Sequence, residues 1–243
     1  SLEKLVQEHD IGVIKMEVSR SVEPETSFLE SIRQLATEKG IVLIFDECTS
    51  GFRETFGGLH KKYGVEPDMA VFGKTLGNGY AITAAIGRRE IMEAAQSTFI
   101  SSTFWTERIG PTAALKTLEV MEREKSWEKI TNTGKAIGNR WQALAEKYEL
   151  PIEIGGLPAL VNFNIPVDNW LKYKTLITQE MLKKGFLAAN SVYVCTEHTN
   201  EIIDEYFEEL DYVFSLVSEC EAGRNVDDLL EGPVCHAGFA RLN

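Results

Sequence analysis

The sequence predicts an α/β protein, with a mixed, mostly parallel sheet flanked by helices, followed by a small α+β domain. Three observations carry this. Ile41-Val42-Leu43-Ile44-Phe45-Asp46-Glu47 and Met69-Ala70-Val71-Phe72-Gly73-Lys74 are short apolar runs that end in a charge, the pattern of strands buried on both faces. Strand, helix and strand follow one another up to Asp46 at the spacing of a βαβ unit, so the sheet is parallel there and its crossover is expected to be right-handed. The composition then shifts at Pro151-Ile152-Glu153-Ile154-Gly155-Gly156. This divides the chain into a large domain, 1–148, and a small one, 149–243.

The elements follow in order. Residues 2–8 carry Leu2, Leu5 and Val6 at helical spacing. Ile11 to Val18 reads as a strand, with Glu17 at its end, and Ser19 to Pro24 as a loop. Ser27-Phe28-Leu29-Glu30 has the form of a capping box, in which the Ser accepts from a backbone N–H and the Glu reaches back. Phe28, Ile32, Leu35 and Ala36 share one face of the helix, which Gly40 ends. After Asp46 comes a loop over 49–66, with a short helical turn at His60 to Tyr63. The strand Met69–Phe72 is separated from Tyr80–Ile86 by too few residues for a parallel crossover, so that pair should be antiparallel. Gly77 and Gly79 around Asn78 suit a tight turn.

Further on, 88–96 reads as a short helix, and Ser101–Trp105 as a polar and aromatic loop. One long helical region runs from Gly110 to Tyr148, with Pro111 tolerable in its first turn. Strand (Ala159–Asn164), helix (Asp168–Lys184), strand (Leu187–Val194) and helix (Asn200–Ser218) make up the small domain. Thr199 is placed to cap the last helix. No internal repeat interrupts the series.

The 243 residues are 44% hydrophobic and 26% charged, an ordinary globular composition. The formal net charge of −12 argues against nucleic acid and against an anionic membrane surface as partners. No apolar run approaches the length of a membrane span, and there is no signal-peptide pattern. Cys48, Cys195, Cys220 and Cys235 are scattered without a C-x-x-C pair. That suits a reducing cytoplasm better than a disulfide framework or a metal site, and a cytoplasmic location is expected.

Two residues stand where ligands bind in open α/β sheets, beyond the carboxyl ends of the strands. Lys74 lies between Gly73 and Thr75 at the end of an apolar run, where partial desolvation would favour the neutral amine, a nucleophile toward aldehydes. The competing reading is an ordinary solvated lysine. Asp46 at the end of its run should be poorly solvated and needs a positive or donor partner. A protonated pyridine nitrogen would serve; so would a helix N-terminus or an ion pair with Arg53. Glu47 is expected to face a structural partner. No G-x-G-x-x-G or P-loop follows a strand, which disfavours a nucleotide-binding domain.

Together these segments resemble a known family. Phe45-Asp46-Glu47-Cys48-Thr49-Ser50-Gly51-Phe52-Arg53 is similar to the DE-x-x-T/S-G-F-R segment of class-III pyridoxal-phosphate aminotransferases. Phe72-Gly73-Lys74-Thr75-Leu76-Gly77-Asn78-Gly79 is similar to their Schiff-base segment, and the spacing between the two also matches. Ile14-Lys15-Met16-Glu17, Ser102-Thr103-Phe104 with Ala113-Ala114-Leu115, and His198-Thr199 continue the likeness in order. Within the family the sequence looks nearest to glutamate-1-semialdehyde 2,1-aminomutase.

The resemblance implies part of a fold-type-I PLP-dependent transferase large domain, with pyridoxal 5'-phosphate as cofactor. It implies Lys74 as the Schiff-base lysine and Asp46 as partner of the pyridine nitrogen. Cys48 would lie against one ring face; otherwise it is a small buried hydrophobe, which is almost the same statement. Thr103 would bind the cofactor phosphate of a neighbouring subunit in a homodimer; otherwise it is a loop hydroxyl. Glu17 would orient the site, or is a plain strand-end carboxylate. The substrate would be a small amino or keto compound, or an amino-aldehyde, and the reaction transamination or a 2,1-amino shift.

Two departures stand out. Val18 replaces the family's proline after Glu17, and Trp105-Thr106-Glu107-Arg108 replaces a small G-N-P turn. The chain opens at Ser1 and the resemblance starts in mid-domain. The family's N-terminal part, with a phosphate-holding loop and a ring-stacking aromatic, is therefore expected to be missing. The alternative to an enzyme is accordingly an incompetent fragment with little grip on the cofactor.

Overall fold

The two apolar runs form the middle of a four-stranded sheet in the order β1 (Val13–Met16), β2 (Val42–Glu47), β3 (Met69–Phe72), β4 (Ala84–Gly87). The computed structural model describes residues 1–19, 22–25, 27–103 and 106–238. β1, β2 and β3 are parallel, and β4 runs antiparallel to β3. The expected α/β class with a mixed, mostly parallel sheet is therefore present. By packing, the chain divides into a unit Ser1–Lys129 and a second from Ile130 onward. This division lies within a helix, whereas the composition changes at Pro151.

In the first unit, α1 (Leu2–Glu8) precedes β1, and Ser1 caps it by accepting from the Lys4 N–H. α2 (Phe28–Lys39) packs against β2 and buries Leu29, Ile32 and Ala36. The expected capping box does not form. Ser27 sits at φ 66° and makes no side-chain capping bond, because the cap geometry requires an extended residue. The buried face is also shifted by one residue at this end: Leu29 is buried and Phe28 is 48% exposed. The far end is as expected: Gly40, at φ 66°, closes α2 with its N–H on the carbonyls of Ala36 and Thr37.

β2 is not buried on both faces as its unbroken apolar run suggests. Leu43, Phe45 and Glu47 are fully covered, while Val42, Ile44 and Asp46 are half-buried. The register places Val13 and Lys15 of β1, and Met69 and Val71 of β3, on that second face. Asp68 fastens the sheet at the start of β3. Its carboxylate accepts from the Leu43 N–H at 2.8 Å, from Arg33 at 2.9 Å and from Arg88 at 3.0 Å.

α3 (His60–Tyr63) is the short turn expected after the loop. α4 (Lys74–Gly77) is a single turn directly after β3. Asn78 and Gly79, at φ 47° and 100°, make the tight turn beyond it. The strand expected over Tyr80–Ile86 is shorter, since pairing begins only at Ala84. α5 (Arg89–Met92) continues as a 3-10 turn, Glu93–Ser97.

The single helix expected over Gly110–Tyr148 is two: α6 (Ile109–Glu124) and α7 (Ser126–Lys147). Lys125 between them is left-handed at φ 50°, and its N–H closes α6 on the Met121 carbonyl. The Glu128 N–H returns to the Lys125 carbonyl and starts α7.

In the second unit, α7, α8 (Trp170–Lys183) and α9 (Asn200–Glu221) share one core around Trp141, Phe163, Tyr173 and Phe214. The Trp141 indole donates to the Tyr206 hydroxyl at 3.0 Å, which satisfies two buried polar groups. Thr199 caps α9, as its position suggests. The sheet is smaller than expected, β5 (Glu153–Gly155) antiparallel to β6 (Asn162–Asn164). Residues 187–194 touch β6 through one bridge, Asn162 to Ser191. The Asn190 side chain takes the Phe163 carbonyl at 2.9 Å, occupying an acceptor that a continuous ladder would use. Among the described residues no helix is long and apolar enough to cross a membrane.

Candidate active site

The carboxyl ends of β2 and β3 carry two carboxylates and a lysine within a few residues, and the pleat sends them different ways. Glu47 points into the covered face. It accepts from Ser50 Oγ at 2.5 Å and the Leu59 N–H at 2.9 Å on one oxygen. The other takes the His60 N–H at 3.0 Å, with His60 Nδ1 at 2.9 Å. Burial pushes its carboxyl up, but these donors outweigh that and hold it below the usual carboxylate range. Glu47 thus anchors the loop after β2, in agreement with the structural role expected for it.

Asp46 points to the half-open face. Lys15 Nζ lies 2.7 Å from Oδ2, and the Cys48 N–H donates to Oδ1 at 3.1 Å. The hydrogen bond from Lys15 is the main reason its carboxyl sits below the usual range; burial opposes it, and the Cys48 N–H assists. Arg53, one partner considered for Asp46, is engaged elsewhere: its Nε donates to the Thr49 carbonyl at 2.6 Å.

Lys74 starts α4 directly after Gly73. Leu76 of the same turn is buried with Ala70, Phe72 and Ala114, so α6 fixes the turn from below. The expectation of a partly desolvated lysine is corrected: Lys74 is exposed, because burial falls on Leu76 and Gly77 instead. Its Nζ donates to Thr49 Oγ1 at 2.8 Å. Beside it, Thr75 Oγ1 is buried with no hydrogen-bond partner among the described residues.

Cys48 joins the two halves. It is half-buried, and a Cβ on Gly73 would stand 3.2 Å from its Sγ. Burial first, then the Asp46 charge, push its thiol up, while Lys74 and Lys15 act in the opposite sense. Lys15, Asp46, Cys48, Thr49 and Lys74 therefore form one cluster. Glu17 follows β1 directly, half-buried, and its charge reaches Lys15. Thr103 is exposed in a turn, and no hydrogen bond among the described residues joins it to the cluster. Phe104 and Trp105, in the loop expected over Ser101–Trp105, lie outside the described residues.

The family-like segments assign no role to Lys15, Thr49 or Thr75. Lys15 had a signal, a charge inside the apolar strand Val13-Ile14-Lys15-Met16. Thr49 and Thr75 had none, since a hydroxyl next to a charged residue is common in any loop.

This cluster lies within the segment that known proteins share with the chain. The family model "Aminotransferase class-III" matches residues 21–210. The 3-aminobutyryl-CoA aminotransferase of Cloacimonas acidaminovorans (strain Evry) is 35% identical over 184 residues, which cover 73% of this chain and 44% of that protein. The FumI protein of Sphingopyxis sp. MTA144, in its PLP internal aldimine form, superposes with a TM-score of 0.84 at 23% identity, over 95% of this chain and 58% of FumI. An S-selective transaminase from Arthrobacter sp. superposes with a TM-score of 0.73 at 22% identity, over 90% of this chain and 55% of that one. These superpositions bear out the fold, part of a fold-type-I transferase, and the chain spans about half the length of the relatives it matches. On the extent of the family match and the identity to a curated member, the chain belongs to the class-III aminotransferase family.

Proposed function

We propose that the chain binds pyridoxal 5'-phosphate and contributes the amine and the ring-nitrogen partner of an aminotransferase site. The observation that carries this is the single cluster holding Asp46, Cys48 and Lys74 at the ends of β2 and β3. The residues present suit the ring end of such a cofactor. They supply a carboxylate of lowered proton affinity, an exposed amine, and a buried hydroxyl on Thr75 that has no hydrogen-bond partner among the described residues.

When bound, the cofactor supplies an aldehyde and an electron-withdrawing ring. Lys74, whose exposed amine is held on Thr49 Oγ1, would hold the aldehyde end and would be the group that takes and returns a proton there. Asp46 would accept from the ring N–H and would keep that proton in place. Cys48 fills space against one ring face, Thr49 holds the Lys74 amine through its hydroxyl, and Glu17 borders the site from β1. Thr103 is assigned to the cofactor phosphate of a second copy in a cytoplasmic homodimer. The substrate is a small amino or keto compound.

Two outcomes share this machinery, delivery of the amino group to a second substrate or its return to the neighbouring carbon. Similarity to an aminotransferase supports the first. The motif likeness to glutamate-1-semialdehyde aminomutase supports the second.

The test is to incubate the protein with pyridoxal phosphate, reduce with borohydride and locate the adduct by mass spectrometry. The adduct is expected on Lys74 and absent from Lys74→Ala. Its absence from the unaltered chain at high cofactor concentration favours the alternative, an incompetent fragment. A single turnover that releases a keto product lacking the amino nitrogen identifies transamination. Gel filtration giving only monomer would remove the role assigned to Thr103.

A further inference from the structure

We propose that Lys15 is a positioning residue of this site, holding Asp46 through Oδ2 and competing with the ring nitrogen for it. The inference rests on the function proposed above. Lys15 pairs in register with Ile44, so Asp46 lies two residues further along the same face of the sheet. The Lys15 side chain therefore runs toward the carboxyl end of the strands, where its Nζ stops 2.7 Å from Oδ2. Cys48 already donates to Oδ1. A donor arriving at Asp46 meets an ammonium on Oδ2 and a backbone N–H on Oδ1, and shares the carboxylate with that ammonium or moves it aside.

A lysine on an edge strand also discourages strand pairing. That role needs only a charge in water. It does not account for a side chain turned along its own sheet onto the carboxylate of the neighbouring strand.

The chemistry follows from charge. A cation beside a carboxylate lowers its affinity for a proton, so Asp46 with Lys15 in place grips a ring N–H less firmly than Asp46 alone. Lys15 keeps its own proton throughout. It sets how firmly the cofactor is held and how fully the ring nitrogen is protonated. The Lys15 side chain is 58% exposed and that of Asp46 24%, so the effect is modest and declines with added salt.

The experiment compares the unaltered chain with Lys15→Met and Lys15→Arg. Borohydride-fixed adduct on Lys74, plotted against pyridoxal phosphate concentration, gives half-saturation. Nitrogen-15 NMR of ring-labelled cofactor reports the proton on the ring nitrogen. Lys15→Met is expected to half-saturate at roughly two- to fivefold lower concentration and to move the ring signal toward the protonated form. Lys15→Arg should match the unaltered chain, and salt should narrow the gap to Lys15→Met.

Equal half-saturation and equal ring signals in all three proteins overturn the inference alone. So does Lys15→Arg behaving as Lys15→Met, which would assign the effect to packing. Adduct in none of them overturns the proposed function, and this inference with it. Should Lys15→Met not fold, Lys15→Gln carries the same comparison.

Discussion

The two faces of the β2 end put neighbouring residues of the same chemistry to different uses. Glu47 is enclosed, satisfied by backbone and side-chain donors, and fixed. Asp46, one residue earlier, faces the partly open side and is held by one exposed lysine and one backbone N–H. An alternation of period two is enough to separate a structural carboxylate from one that remains accessible to a ligand. Rigidity on one face is what lets the other present its group in a defined place.

Removing each carboxylate tests the contrast most directly. Glu47→Ala strands several buried donors and should cost roughly 3–5 kcal/mol, read as a lower urea midpoint. Asp46→Asn should leave that midpoint nearly unchanged and instead weaken fixation of pyridoxal phosphate on Lys74. Equal losses of stability would break the comparison.

The helix behind the covered face offers the next largest effect. Leu29 is 1% exposed and Phe28 48%. Leu29→Ala should cost about 2–4 kcal/mol and Phe28→Ala less than about 1 kcal/mol. The reverse order would restore the face drawn from sequence.

Acidification gives the most gradual test. The folded carboxyls of Glu47, Asp68 and Asp46 all lie below their ordinary values. Their contribution is complete above the unfolded values, near pH 4, and is lost as pH falls through the folded ones. Chemical denaturation should therefore show stability declining below about pH 4, with Glu47→Gln reducing the slope.

These particulars also show what could be read in advance. The ends of β2 and β3 were legible because an apolar run that stops at a charge marks both strand and site. Gly40 was legible because a left-handed helix stop favours glycine. The break at Lys125 was not, since no Gly or Pro marks it and the polar run Glu122-Arg123-Glu124-Lys125 is good helix sequence. Ser27 misled because the capping pattern fixes residue types but not backbone angles. The pairing of Lys15 with Asp46 depends on the register between two strands, which neither strand carries alone. The apolar run before Lys74 points to partial desolvation, and only the turn of α4 shows that Leu76 takes the interior position.

The donors gathered by Glu47 have a consequence in exchange kinetics. The amides of Leu59 and His60 lie at the end of a loop and the start of a single helical turn, places where amide protons ordinarily exchange fast. Here each is bonded to a fully buried carboxylate at the end of a central strand. Their protons should be released only when β2 itself opens. By hydrogen exchange the far end of this loop therefore belongs to the sheet, and the loop from Cys48 to Gly58, which carries Cys48 and Thr49 of the cluster, is tethered to it at both ends.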